Sequence, residues 1–145
     1  MRGVMRELAN ALGRLKTLGI AHRDIKPENV IYDRLTRRVR VVDFGFAVDC
    51  GCESVVYPSC GTPGFAAPEV LEKGNKRITC AVDVFAWGVT LHWLLFGRLP
   101  YADSGSILLA SKECRFAFDR SLLGRMKLYD LIRRTVCPLA HRLTL

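Results

Sequence analysis

From Ala81 to Phe96 the chain is apolar nearly all round. Val82, Val84, Phe85, Ala86, Trp87, Val89, Leu91, Trp93, Leu94, Leu95 and Phe96 leave it no polar face. A helix of this kind has to be enclosed. Its most apolar part, Val84 to Phe96, is too short to cross a bilayer and contains His92. The spacing therefore predicts a helix at the centre of a globular domain, with the other elements packed round it. Asp83 falls in its first turn, where an acid suits the positive end of the helix dipole. If that carboxylate is buried, it needs hydrogen-bond donors. His92 reads as a core or rim histidine.

With 145 residues, the chain is long enough for one domain with a real core. Residues 3 to 18 repeat Val4, Leu8, Ala11, Leu12, Leu15 and Leu18 at helical spacing, and Gly19 suits the stop. A loop is expected over 21 to 29. Val30 to Tyr32 and Arg38 to Val42 read as paired strands round a turn at Asp33 to Arg37. Residues 46 to 60 show no sustained period and read as a mobile loop. Gly61 to Glu69, rich in Gly and Pro, reads as an ordered irregular segment. A short helix over 68 to 73 should follow and stop near Gly74. Ser104 to Lys112 and Asp119 to Cys137 read as further helices. There are no internal repeats, low-complexity tracts or linkers.

The loop His22-Arg23-Asp24-Ile25-Lys26-Pro27-Glu28-Asn29 carries the chemistry. Pro27 disfavours helical geometry at Lys26, so the segment stays a loop. An Asp able to take a proton, a Lys able to hold a phosphate and an Asn able to bind a hard cation are tools for phosphoryl transfer. The alternative is a polar surface turn. The hairpin bears on the choice. Asn29 precedes its first strand and Asp43 follows its second, so the two should meet at the open end, beside Asp24. That arrangement could hold one or two Mg²⁺, or it could be a pair of polar strand caps. Asp43-Phe44-Gly45 ends the hairpin, with Gly45 expected to permit the turn.

A net charge of +8 suits either an acidic partner or a basic protein with none. The second reading is preferred. Apart from Arg34, Arg37, Arg38 and Arg40 at the hairpin tip, the arginines are scattered and have no interleaved aromatic residues, so nucleic acid is not expected. Arg2, Arg6 and Glu7 interrupt any signal-peptide core. The expected location is intracellular, cytoplasmic or nuclear, with no membrane span. Cys50, Cys52, Cys60, Cys80, Cys114 and Cys137 lack paired C-x-x-C spacing and nearby histidines, so reduced thiols are expected, not a zinc site or a disulfide framework.

The order of four segments carries a family resemblance. His22 to Asn29 resembles the catalytic loop of eukaryotic protein kinases, and Asp43-Phe44-Gly45 their metal-binding motif. Ala67-Pro68-Glu69 resembles the end of their activation segment. Asp83-Val84-Phe85-Ala86-Trp87-Gly88 resembles the motif opening their central helix. Lys26 and Gly61-Thr62-Pro63 resemble the serine/threonine branch, and Cys60 to Glu69 is similar to calmodulin-dependent-kinase-like members. The fold implied is mainly α: a protein-kinase-like C-terminal lobe over residues 1–145 with a small β-hairpin at the active site, incomplete at both ends.

The resemblance implies roles and partners. Asp24 would accept the proton of a substrate hydroxyl, and Lys26 would steady the transferred phosphoryl group. Asn29 and Asp43 would hold Mg²⁺ on the phosphates of ATP. Thr62 would tie the substrate loop to Asp24 and Lys26. Glu69 would pair with Arg142, Asp83 would hold the His22-Arg23 backbone, and His22 would stack with Phe44. Arg23 suggests control by a phosphate. The usual phosphorylated position is Pro58 here, leaving Ser54, Tyr57 and Ser59 as substitutes. The implied partners are a protein substrate bearing Ser or Thr and a regulatory protein or upstream kinase.

No glycine-rich G-x-G-x-x-G segment and no V-A-I-K lysine precede the catalytic loop in these residues. The chain is expected to be part of a serine/threonine kinase, inactive as the segment 1–145 alone. The alternative is a truncated kinase-like lobe serving as a non-catalytic binding or scaffold module.

Overall fold

The computed structural model describes residues 2–50, 58–71, 78–101, 106, 116–118, 125–138 and 142. Its elements are α1 (Arg2–Thr17), β1 (Ile20–Ala21), a 3-10 turn (Pro27–Asn29), β2 (Val30–Asp33), β3 (Arg38–Val41), β4 (Val48–Asp49), α2 (Pro68–Leu71), α3 (Ala81–Phe96) and α4 (Met126–Thr135). Most of the regular structure is helical, as expected.

Helix α3 is the axis. Every residue from Val82 to His92 is buried. It ends at Gly97, which takes the left-handed conformation (φ 67°) and donates its N–H to Trp93 O at 2.8 Å. Helix α1 lays Met5, Leu8 and Leu12 against the core. Trp87 on α3 donates its indole N–H to Met5 O at 3.0 Å, satisfying a buried donor. Leu18, expected on the apolar stripe of α1, is 68 % exposed. The helix has already ended at Thr17, and Gly19 (φ 71°) turns the chain away.

Helix α4 packs Ile132 and Thr135 into the core beside Val136, which follows it. It begins at Met126, after a non-helical Arg125 (φ −129°, ψ 59°), within the helix expected over 119 to 137. Residues 119–124 of that expected helix lie outside the described residues. The same holds for the expected helix 104–112, apart from Ser106, which belongs to no regular element. The end of the expected helix over 68 to 73, with its stop at Gly74, is likewise outside them.

The close approach of α3 and α4 depends on Gly88. A Cβ there would lie 2.1 Å from Thr135 Oγ1 and 2.8 Å from both Thr135 Cβ and Val136 Cγ2. These are β-branched groups fixed on packed backbone, so the helices have to separate. Gly88→Ala is expected to cost about 1–3 kcal/mol or more in urea unfolding. An unchanged midpoint would contradict this packing.

Strands β2 and β3 pair antiparallel with Val30 opposite Val41 and Asp33 opposite Arg38. Asp33 Oδ1 caps the turn by accepting Leu35 N (2.9 Å) and Thr36 N (3.3 Å). A second small sheet joins β1 to β4, with Ala21 opposite Val48. It replaces part of the loop expected over 46 to 60. Residues 51–57 of that loop are outside the described residues.

Candidate active site

The site begins with one buried carboxylate. Asp83, 2 % exposed at the start of α3, accepts the backbone N–H of His22 at 2.7 Å and of Arg23 at 2.9 Å. Burial pushes its carboxyl up, and those two N–H groups oppose the shift. The same two bonds hold Arg23 in a left-handed conformation (φ 67°) that a residue with a Cβ resists. The chain therefore reverses at Arg23 and turns Asp24 back toward the hairpin. His22 is fully buried. Its Nδ1 accepts Asp24 N–H (3.3 Å) and its Nε2 donates to Val42 O (3.0 Å). Phe44 meets the His22 ring edge-on, with centroids 4.8 Å apart. The His22–Phe44 contact expected from the sequence is present.

Asp24 is the hub. Its Oδ1 accepts both Thr62 N–H (3.0 Å) and Thr62 Oγ1–H (2.7 Å). Its Oδ2 takes the Lys26 ammonium (2.9 Å) and the Asn29 amide (3.0 Å). Lys26 Nζ also donates to Thr62 Oγ1 at 2.7 Å. Asp24, Thr62 and Lys26 close a ring of hydrogen bonds, and Asn29 joins it at Asp24. Burial pushes the Asp24 carboxyl up, but bonds from Lys26 and Thr62 and the Lys26 charge outweigh burial and hold it below the usual carboxylate range. Thr62 reaches Asp24 because Gly61 precedes it. Gly61 has φ 85°, and a Cβ there would sit 2.7 Å from Arg23 O. That close approach was legible only as a glycine beside a threonine.

Asn29 spends its amide N–H groups on Asp24 O (2.9 Å) and Asp24 Oδ2, leaving its carbonyl oxygen as the group it can present. Val42 N–H donates to Asn29 O at 3.0 Å, so the hairpin puts Asp43 one residue beyond that register. Asp43 is exposed and left-handed (φ 61°). The sequence reading gave the turn to Gly45, but the positive φ is at Asp43. Gly45 instead leaves space: a Cβ there would be 3.2 Å from Asp43 Oδ1, which its own N–H reaches at 3.3 Å. Among the described residues, no three His, Cys, Asp or Glu side chains form a metal-holding group. One amide oxygen and one carboxylate fit a hard cation that takes its remaining ligands from water or phosphate.

Two expected residues serve the scaffold. Arg142, 8 % exposed, makes a two-pronged ion pair with Glu69: Nη1 to Oε1, and Nη2 to Oε2 at 3.2 Å. It also donates to Ala81 O (3.0 Å) and Cys137 O (2.8 Å), with its guanidinium 4.9 Å over the Phe85 ring. Arg23 reaches Phe46 O at 2.6 Å and Pro58 O at 3.4 Å. Of the expected substitute phosphate positions, Ser59 is exposed, while Ser54 and Tyr57 lie outside the described residues.

A family model described as "Protein kinase domain" matches residues 1–131. The chain is 33% identical over 140 residues to "CBL-interacting protein kinase 10" of Oryza sativa subsp. japonica, covering 94% of this chain and 31% of that protein. It is 38% identical over 110 residues to "Serine/threonine-protein kinase H1 homolog" of Danio rerio, covering 73% of this chain and 26% of that protein. To "cGMP-dependent protein kinase, isozyme 1" of Drosophila melanogaster it is 45% identical over 89 residues, 61% of this chain and 11% of that protein. The chain thus spans a third or less of the length of these curated relatives.

Proposed function

The chain belongs to the protein kinase family, and on that premise we propose that it carries the phosphoryl-transfer centre of a serine/threonine protein kinase. In this reading residues 1–145 are the larger, C-terminal lobe of the domain. The observation that carries it is the Asp24 carboxylate, one oxygen held by Thr62 and the other by Lys26 and Asn29.

ATP with Mg²⁺, when bound, supplies the activated γ-phosphoryl group and the charge that draws electrons from it. The chain's own residues do the rest. Asp24, ionised and fixed on both oxygens, orients a substrate hydroxyl and accepts its proton. Lys26 brings a positive charge to where negative charge grows on the transferred group. Asn29 and Asp43 would hold the cation by their oxygens. Thr62 locks the segment carrying Gly61 and Pro63 to the loop, so that the hydroxyl-bearing partner approaches Asp24 along one path. The bond from Lys26 to Thr62 supports a serine or threonine substrate, since it draws that segment in against the base.

The test uses the full protein with Mg-ATP and two peptides differing only in Ser or Tyr at the acceptor position. Phosphoserine is expected, and chelating Mg²⁺ should abolish it. Preference for the tyrosine peptide, or no transfer to either, would overturn the reading.

A further inference from the structure

Cys50 and Cys80 are 30 residues apart in the chain, yet their sulfurs lie 3.4 Å from each other. Both are free, half-buried thiols. Cys50 follows β4 and donates its N–H to Gly19 O at 2.6 Å. Cys80 caps the start of α3, and its Sγ also meets Ile20 O at 3.4 Å. A backbone hydrogen bond thus holds Cys50, and Cys80 is held at the start of α3 by Asp83 N–H donating to its carbonyl oxygen (3.2 Å). The two sulfurs bond to each other and to Ile20 O, not to Asp24, Lys26, Asn29 or Thr62.

We propose that Cys50 and Cys80 are an oxidation site, a dithiol that a hydroperoxide converts to a reversible disulfide bolting β4 to the foot of α3. The first sulfur attacks one peroxide oxygen. The O–O bond breaks, giving a sulfenic acid and water. The second thiol then attacks the sulfenic sulfur. The S–O bond breaks, and the departing hydroxide leaves as water with the second thiol's proton. Two thiols lose two electrons and one peroxide becomes two waters. The sulfurs have only to close from 3.4 Å to the bond length of about 2.05 Å.

The order of attack follows from the environment. Burial first, then the hydrogen bond and charge of Cys80, push the Cys50 thiol up to about 12. Cys50 is therefore a weak first nucleophile at neutral pH and suits the resolving role. The loop the bridge closes contains Thr62, so oxidation restrains the segment that holds Asp24. A dithiol of this kind in a reducing compartment is a sensor and not a structural staple.

The purified protein, treated with hydrogen peroxide, alkylated and digested without reduction, should yield a Cys50–Cys80 linked peptide. Dithiothreitol should remove it. Melting of the oxidised protein should rise by several degrees, a gain absent from Cys50→Ser and Cys80→Ser. The peptide map needs no variant, so it decides the matter even where a variant fails to fold. A bridge to Cys60 or Cys137 instead, or sulfonic acids at Cys50 and Cys80 with no link between them, would overturn the proposal.

Discussion

Asp24→Asn is expected to lower turnover of the full protein by about 10²–10⁴-fold, the usual worth of a positioned general base. Binding of Mg-ATP should be little changed, because Asn29 and Asp43 keep their oxygens. The substitution is nearly isosteric. Its remaining oxygen can still accept from Thr62, but its NH₂ then faces the Lys26 ammonium and the Asn29 amide, three donors with no acceptor. Lys26 therefore loses its anion and keeps only Thr62 Oγ1, so the loss exceeds that of a proton acceptor alone. Parallel measurement of kcat and of nucleotide affinity checks this. Wild-type turnover in the variant would remove Asp24 from the chemistry.

Arg142→Ala is expected to cost the fold about 3–5 kcal/mol, the size seen when one partner of a buried ion pair is removed. The Arg142 side chain is 0 % exposed and that of Glu69 only 13 %. Truncation leaves the Glu69 carboxylate short of its cation and strips a donor from Ala81 O and Cys137 O. It also removes the guanidinium from the Phe85 ring, the largest fully buried side chain of α3. The effect reaches the site indirectly, since α3 begins at Ala81 and Asp83 holds the loop. Urea unfolding gives the loss directly. Arg142→Lys should recover only part of it, because an ammonium cannot match both carboxylate oxygens and stack on the ring. A loss below about 1 kcal/mol would mean that the pair is solvated.

What could be read in the sequence was what local chemistry dictates. Helix α3 announced itself because no arrangement of Val82 to Phe96 leaves a wet face, and its bounds came out as expected. The β2–β3 hairpin was legible from alternation and from its turn, and with it the neighbourhood of Asn29 and Asp43. The partners of Asp83, Thr62 and Arg142 were legible only through family resemblance, since each lies tens of residues from its counterpart. The rest depended on tertiary context. Strands β1 and β4 are two residues each, too short to carry a period. Their pairing follows from Gly19 and Cys50 being brought together. Leu18 fits a helical stripe, but the helix ends before it. The positive φ fell on Asp43, not on the adjacent glycine motif, because the hairpin register and not local preference sets the backbone there. The meeting of Cys50 and Cys80 leaves no trace in spacing at all.

The claim at the centre of the account is that one carboxylate is pinned on both oxygens and kept ionised. ¹³C NMR of the Asp24 side chain through an acid titration tests it most directly. A depressed native pKa means that the stability contributed by Asp24 is present above the ordinary carboxylate value of about 3.9 and lost as pH falls through the lower, native one. The account predicts that Asp24 titrates below the ordinary value in the wild type, and that Lys26→Ala moves it upward, because burial then acts with less opposition. Titration at or above the ordinary value in the wild type, unmoved by loss of Lys26, would contradict the account.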